Sequence, residues 1–363
     1  MTGQERERLI SAVQANCHVA DARHASDLTL CTYLLQMREF FRWERGLALQ
    51  EPFAREQVGA WIAEREGLWE TLEEQDFQHL PLPTQGSLAE SEADPFDVES
   101  VSRDLRPLGL IYGAGLAGPE RPLFFLADLI QETTRDGVTV RTAGREYARC
   151  LAAPPAALVN DGAQPSILIR RESLQRWCWE RFETFSLRRT PGTAMAAVVD
   201  AYALAGDFDA ALPRWLDDMS ETLVLHELGE FRAGQILGPA WGEMRMSLPS
   251  RRADLLARAV RDHLADLGLT LPTLLARGDP APIHAWFATY EGLRETLFPS
   301  LKNAYQDWRD GDKGAALQDA ATRGYAHFEA LAQQALALHV GEGKRAGAKI
   351  EALLESPTAN FAL

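Results

Sequence analysis

One short segment of the chain, residues 223–230 with the sequence LVLHELGE, combines a histidine with two carboxylates. When residues 209–237 are wound as an α-helix at about 100° per residue, His226, Glu227 and Glu230 fall on its apolar arc. A buried carboxylate needs a metal ion, a cationic side chain or a shared proton, because without one it is strongly destabilising or becomes neutral. The segment therefore predicts a polar site inside the protein.

A mononuclear metal centre is the first interpretation of this site. His226 and Glu230 are four residues apart and share one helix face, so both can ligate one ion. Glu227 would then act as the general base toward a metal-bound water, which is the chemistry of a metal-dependent hydrolase. Because this set mixes an imidazole with carboxylates, zinc, iron and manganese all suit it as the divalent metal.

A carboxylate-bridged dinuclear centre with oxidase-like O₂ chemistry is the second interpretation. Such a centre takes glutamates from several helices of a bundle. The helix predicted at residues 27–46 offers two of them, Glu44 at the centre of its apolar arc and Glu39 on a lesser arc. Both are therefore candidate metal ligands.

Further candidate ligands lie near the N-terminus and downstream of the motif. His18, Asp21 and His24 are three residues apart, so a single helix through them would bring the three side chains toward one side. Asp21 equally fits the N-cap of the helix that follows. His263 and Glu243 are candidates for a third ligand beside His226 and Glu230.

The third interpretation requires no metal. The helix predicted at residues 165–187 turns Arg181 inward, where it can pair with Glu44 or Glu230 in a buried ion pair. The protein would then be a non-catalytic helical scaffold or a partner-binding protein with a buried Glu-Arg-His network. The residues alone leave the three interpretations open.

Composition restricts the partners of the protein. The chain has 363 residues, with 52 acidic against 37 basic side chains and a net charge of -15. No long basic run occurs, so neither nucleic acid nor an anionic membrane is an expected partner. A homo-oligomer is compatible with the sequence, and the identity of a small-molecule or protein partner stays open.

The lack of a signal-peptide pattern and of a membrane-spanning stretch predicts the localisation. Residues 1–30 show no basic region followed by an apolar stretch, and no run of about 18 apolar residues occurs, so we expect a cytoplasmic protein. The four cysteines are not in Cys-x-x-Cys spacing, which argues against a zinc knuckle or a redox motif and favours reduced thiols.

Hydrophobic periodicity predicts a mainly α fold with a multi-helix, bundle-like architecture. The exception lies near residues 108–129, where two apolar runs flank a glycine-rich segment, as in a small β-hairpin insertion. The predicted helices are 5–16, 27–46, 54–75, 97–105, 165–187, 193–205, 209–235, 250–266, 281–296 and 316–340.

Two breaks in this pattern predict the domain organisation. They lie at residues 80–96, rich in proline, serine and acids, and at residues 152–164. We therefore expect an N-terminal helical segment (1–79), a linker with the hairpin and short helices (80–163), and a C-terminal helical region (164–363). The first and third of these can form one compact unit.

Two resemblances accompany these patterns. The sequence HELGE at residues 226–230 resembles the H-E-L-G-H core of zinc metallopeptidases at four of five positions, as an HExxE motif with Glu230 in place of the second histidine. Four blocks resemble an uncharacterised bacterial protein family: CHVADA at 17–22, CTYLLQMREFFRWE at 31–44, LFFLADL at 123–129 and LHELGE at 225–230. That resemblance implies a mostly helical fold and a common, metal-binding set of residues, without a particular activity.

Overall fold

The computed structural model describes residues 1–83, 91–117, 121–152, 154–160, 165–311 and 314–362. The chain divides into two compact units, Met1–Glu180 and Arg181–Leu363, referred to below as unit 1 and unit 2. Among the described helices, none combines the length and the apolar character needed to cross a membrane.

Unit 1 contains both helices and strands. Its helices are α1 Gly3–His24, α2 Leu30–Glu44, α3 Arg55–Glu70, α4 Val98–Leu105 and the first part of α5 Arg171–Leu187. Its strands are β1 Leu80–Leu82, β2 Ser91–Ala93, β3 Leu110–Ala117, β4 Arg121–Arg135, β5 Val138–Arg149, β6 Ala156–Asn160 and β7 Pro165–Arg170.

The hairpin predicted near residues 108–129 is confirmed, because β3 and β4 pair antiparallel with Tyr112 opposite Leu126. Its description as a small insertion is wrong. In the described residues the hairpin belongs to a five-stranded sheet of order β3-β4-β5-β7-β6. The pair β5 and β7 is parallel, and the other neighbours are antiparallel. The fold is mainly helical with a substantial sheet in unit 1.

Strand β4 continues into β5 through a tight turn at Asp136 and Gly137. Both residues have positive φ, 51° and 79°. A two-residue hairpin turn with positive φ at both central positions favours Asp-Gly, since glycine adopts this conformation without strain. This dipeptide therefore extends the hairpin into a third strand.

Strand β7 corrects the helix predicted at residues 165–187. Residues Pro165–Arg170 form a strand, and the helix α5 begins only at Arg171. Ile167, Leu168 and Ile169 are all buried. A strand buried on both faces lacks the alternation of polar and apolar residues, so its apolar run cannot be told from a helix turn by periodicity.

The two faces of the sheet have different environments. On one face Val13 of α1 shares a core cluster with Phe124 and Leu126 of β4. On the other face Phe125 of β4 and Leu168 of β7 belong to a smaller cluster. This second face lines a cavity that is described below.

The segment predicted as a linker, residues 80–96, is structured at both ends. Strands β1 and β2 pair as a two-stranded antiparallel ribbon, with Leu80 opposite Ala93. Residues 84–90 of the same segment lie outside the described residues. The ribbon therefore replaces part of the expected loop.

Unit 2 is helical in all its described regular elements. The helices are α6 Ala194–Ala201, α7 Phe208–Leu237, α8 Pro239–Met246, α9 Arg251–Ala265, α10 Leu271–Arg277, α11 Pro280–Phe287, α12 Leu293–Leu297, α13 Ser300–Arg309, α14 Ala315–Glu342 and α15 Gly347–Glu355. A π-helical turn, Asp266–Thr270, joins α9 to α10.

The helices α7 and α9 approach each other closely at Gly229. A Cβ atom at this position would lie 2.6 Å from the backbone oxygen of Ala265, which is too close for any side chain. Only glycine therefore permits this separation of the two backbones. The contact lies close to two of the candidate ligands, because α7 carries His226 and Glu230, one turn or less from Gly229.

Replacing Gly229 by alanine tests this packing. We expect Gly229→Ala to lower the free energy of unfolding by about 1–3 kcal/mol, because the added methyl group must push two helix backbones apart. The matched control is Gly234→Ala on the same helix, where nothing lies within 4 Å of the added Cβ atom. That variant should be unchanged or more stable by up to about 1 kcal/mol. Urea unfolding of the full chain, followed by circular dichroism, gives both values; equal stability of the two variants would contradict the close contact.

Candidate metal centre

The carboxylate of Asp266 is at the centre of a polar network in unit 2 and is 0% exposed. One oxygen accepts a hydrogen bond from His226 Nδ1 at 2.8 Å, and the other accepts one from Arg294 Nη1 at 2.8 Å. Trp286 Nε1 donates to Asp266 at 3.4 Å. Burial alone would raise the pKa of Asp266, but His226 and Arg294 hold it far below its usual range. Asp266 is therefore an ionised group that links α7, α11 and α12.

The π-helical turn begins at Asp266, directly after α9. Turns of this kind insert one extra residue into a helix and often occur at functional sites. Asp262 lies four residues before Asp266, on the last turn of α9. The end of α9 thus supplies two carboxylates to the region that faces α7.

Three side chains from α7 and α9 form a group that could hold a metal ion. His226, Glu230 and Asp262 each offer one ligand atom, and these three atoms lie within 4.8 Å of one another. All three residues are half-buried. His226 and Glu230 are one turn apart on α7, as the sequence predicts, whereas Asp262 comes from α9.

The hydrogen bond to Asp266 orients the imidazole of His226. Burial alone would lower the pKa of His226, but the Asp266 charge and hydrogen bond, together with Asp262 and Glu227, raise it to about 10. With Nδ1–H donated to Asp266, Nε2 is the nitrogen that can ligate a metal once the ring is neutral. Metal binding at this ring therefore displaces a proton.

The carboxylate of Asp262 lies among other negative charges. Burial and the neighbouring Glu230 and Asp266 raise the pKa of Asp262 to about 7, although the His226 charge acts in the opposite direction. Within the described part of the chain, its carboxylate has no hydrogen bond or ion pair. Glu230, in contrast, pairs with Arg261 at 2.9 Å. A cation between Glu230 and Asp262 would relieve this repulsion.

Glu227, the predicted general base, lies beside His226 on α7 and is 8% exposed. Its negative charge is one of the causes that raise the pKa of His226. Consecutive residues of a helix point in directions about 100° apart, and Glu227 is not among the three residues whose ligand atoms lie close together. The structure places Glu227 at the site as a neighbouring carboxylate outside the group of three.

The candidate ligands Glu44 and His18 are in unit 1, where both contact Arg65. Glu44 forms an ion pair with Arg65 and accepts a hydrogen bond from Trp61 Nε1 at 2.5 Å. His18 Nε2 accepts a hydrogen bond from Arg65 Nη1 at 2.7 Å. Burial and the Arg65 charge lower the pKa of His18 to about 3. The guanidinium of Arg65 therefore supplies, beside Glu44 and His18, the positive charge that a metal ion would bring.

Glu39 and His24, the other two candidates of unit 1, also have ionic partners. Glu39 is 2% exposed and pairs with Arg38 at 2.9 Å and with Arg42 at 3.4 Å. His24 Nδ1 lies 3.2 Å from a carboxylate oxygen of Asp27. Glu39, predicted on the lesser apolar arc, is buried and its neighbours are arginines. Glu44, predicted at the centre of the apolar arc, is exposed, so that part of the prediction is wrong.

The alternative role of Asp21 as an N-cap is wrong. Helix α1 continues through Asp21 to His24, so His18, Asp21 and His24 do lie on one helix. The Asp21 carboxylate is buried and accepts a hydrogen bond from the backbone N–H of Leu151 at 2.7 Å. Burial raises the pKa of Asp21 to about 7, although this hydrogen bond and nearby arginines act against it.

The ion pair predicted for Arg181 has a different partner. Arg181 pairs with Glu291 at 2.6 Å, while Glu44 pairs with Arg65 and Glu230 with Arg261. Glutamate–arginine pairs therefore exist, but not between the residues that the sequence suggested. The partner of Arg181 depends on which segment packs beside the end of α5, and the periodicity of one helix does not give that.

His263 and Glu243, the two downstream candidates, have other environments. His263 is 0% exposed, stacks on Phe328 with 4.1 Å between ring centroids, and donates Nε2–H to the Arg294 carbonyl at 3.0 Å. Burial lowers the pKa of His263 to about 3, so it is a neutral core histidine. Glu243 is exposed on α8.

Sequence reasoning missed Asp262, Asp266 and Arg294. Helix periodicity gave no signal for Asp262, because at about 100° per residue it lies opposite the apolar arc of Leu256, Val260 and Leu264. Asp266 also lies outside that arc. The position of Arg294 depends on how α12 packs.

Comparison with known families covers both units. The profile for the N-terminal domain of DUF6866, a family of unknown function, matches residues 8–170, and the profile for its C-terminal domain matches residues 175–357. The chain belongs to the family DUF6866. The predicted membership of an uncharacterised family is thus confirmed, while its bacterial origin and metal-binding residues stay predictions. No curated protein and no solved structure matches the chain significantly.

Removing the charge of Asp266 tests its central place in the DUF6866 C-terminal domain. We expect Asp266→Asn to lower the free energy of unfolding by about 3–5 kcal/mol, because it leaves His226 and Arg294 without their buried counterion. The control is Asp262→Asn in metal-free buffer at pH 8. It removes a carboxylate that other negative charges surround, so the change should stay below about 1 kcal/mol or be stabilising. Equal losses in the two variants, measured by urea unfolding, would contradict this assignment.

Proposed function

We propose that the C-terminal domain binds one divalent metal ion through His226, Glu230 and Asp262. The observation that carries this proposal is the mutual distance of their ligand atoms, at most 4.8 Å. Two donors that are each about 2.2 Å from one ion are at most about 4.4 Å apart, so small rotations of these side chains suffice. One imidazole and two carboxylates suit Zn²⁺, Fe²⁺ and Mn²⁺.

The surroundings of His226 support the proposal. Metal-ligating histidines usually donate the other ring nitrogen to a carboxylate, which fixes the tautomer and makes the ligating nitrogen more basic. Asp266 has this relation to His226 at 2.8 Å, and Arg294 holds Asp266 in turn. A ligand with such an outer partner is preorganised for binding.

Hydrolysis is the reaction class that we propose for this centre. Three protein ligands are the number found in mononuclear catalytic sites, which keep a position for water. A metal lowers the pKa of bound water and so supplies a nucleophile at neutral pH. Glu227, the neighbouring carboxylate on α7, is the proposed general base.

One observation favours a second candidate, a helical scaffold with a buried ion-pair network. Arg261 already pairs with Glu230, and Arg294 with Asp266. In that case these arginines, and not a metal ion, neutralise the carboxylates, and the network only fixes the packing of α7 against α9. The two candidates differ in whether the full chain binds a metal at this site.

Metal titration of the chelator-treated, tag-free full chain tests the proposal. We expect about one equivalent of Mn²⁺ or Zn²⁺ to bind, and Glu230→Gln or Asp262→Asn to weaken binding at least roughly 100-fold, because each removes a charged ligand. His18→Gln in the N-terminal domain is the control and should bind as the wild type does. In the loaded protein, Glu227→Gln should keep the metal affinity and abolish hydrolysis of an activated ester.

Absence of metal binding in the folded wild type would overturn the proposal and favour the scaffold. So would binding that Glu230→Gln and Asp262→Asn leave unchanged. If Glu227→Gln hydrolyses the ester as fast as the wild type does, Glu227 is not the base. Circular dichroism of each variant confirms that the fold is retained.

A further inference from the structure

A cavity of about 490 Å³ lies at the sheet of the N-terminal domain. Both edge strands line it, β3 through residues such as Ile111 and Leu116 and β6 through Ala157 and Leu158. Most of the lining side chains are apolar. Cavities of this size and character are typical of sites for small organic molecules.

The pairing of the strands explains which side chains share the cavity. Leu168 of β7 is opposite Arg141 of β5 on one side and opposite Ala157 of β6 on the other. Paired residues of neighbouring strands point to the same face, so these three line the cavity together. Arg170, two residues after Leu168, points to that face as well.

Arg170 is a buried cationic side chain in the wall of the cavity, and within the described part of the chain one of its N–H groups is unsatisfied. It is 3% exposed and lines the cavity, and its Nη2 atom has no hydrogen-bond partner among the described residues. Its Nε donates to Glu146 at 3.0 Å. A buried guanidinium N–H without an acceptor is destabilising, and an anionic ligand would supply the acceptor.

The ring of Phe125 supports the guanidinium of Arg170 from one side. The distance from Arg170 Cζ to the ring centroid is 4.7 Å. Phe125 occupies the space over Gly113, where a Cβ atom would lie 2.1 Å from the ring. Gly113 of β3 therefore allows Phe125 to lie under Arg170 and to wall the cavity.

Several buried arginines surround the carboxylate of Glu146. Glu146 contacts Arg149, Arg170 and Arg176 at 3.0–3.8 Å, and Glu172 pairs with Arg176. The charges of Asp21 and Glu180 also act on Arg149. Burial and the Arg176 charge lower the pKa of Arg149 to about 10, as expected where positive charges crowd.

We propose that this cavity binds a small monoanion with an apolar body, of the class of medium-chain carboxylates. The carboxylate would accept hydrogen bonds from Arg170, including the one that its Nη2 atom can donate, while the apolar body fills the space between β3 and β6. Arginine suits this role because its planar N–H groups match the two oxygens of a carboxylate. The site is independent of the metal centre, since all its residues belong to the N-terminal domain.

Calorimetric titration of the full chain with sodium decanoate tests the proposal. We expect one equivalent to bind, and decanol, which has the same chain without the charge, to bind at least about tenfold more weakly. Arg170→Gln should weaken decanoate binding by about 10- to 100-fold. Arg176→Gln, which also removes a partner of Glu146 but does not line the cavity, should lose no more than about fivefold.

A second variant keeps the test decisive if Arg170→Gln does not fold. Ala157→Trp retains every charge and places an indole ring in part of the cavity, so it should weaken decanoate binding at least about tenfold. Three results would overturn the proposal: no decanoate binding to the wild type, decanol binding as tightly as decanoate, or undiminished binding by folded Ala157→Trp. Undiminished binding by folded Arg170→Gln would overturn it equally.

Discussion

The buried charge of Asp266 is the constraint on which the C-terminal domain depends. It is ionised in a place without solvent, so it is stable only while His226 and Arg294 both contact it. This requirement fixes α7 and α12 against the turn that follows α9. The position of the remaining polar groups follows: Glu230 lies one turn beyond His226, and Asp262 one turn before Asp266. The candidate metal ligands are thus consequences of one ion-pair arrangement.

The two domains balance their buried charges in opposite ways. In unit 1 three arginines contact Glu146, and Arg170 keeps an N–H without an acceptor among the described residues. In the C-terminal domain carboxylates crowd, and Asp262 has a raised pKa as a result. In both places the proposed ligand would bring a counterion of the opposite sign. The two proposed ligands, an anion in one domain and a cation in the other, follow from the same physical argument.

Sequence periodicity predicted much of what is local in the sequence, and it failed where elements that are not neighbours in the sequence had to be placed together. It found α7 and the inward positions of His226 and Glu230, because a helix repeats its faces every few residues. It could not find Asp262 as their neighbour, since that depends on the contact of α7 and α9 at Gly229. The same limit applies to the sheet: the local hairpin of β3 and β4 was predicted, whereas β7, which pairs in parallel with β5 across the intervening β6 of the sequence, was predicted as helix.

The most direct test of the account is a crystal structure of the protein soaked or grown with Mn²⁺ or Zn²⁺, with anomalous diffraction recorded for the metal. The account predicts one anomalous peak about 2.0–2.2 Å from His226 Nε2 and from oxygens of Glu230 and Asp262, with His226 Nδ1 still on Asp266. A metal-saturated crystal without a peak there, and with Arg261 still on Glu230, would contradict it and leave a buried ion-pair network in place of a metal centre.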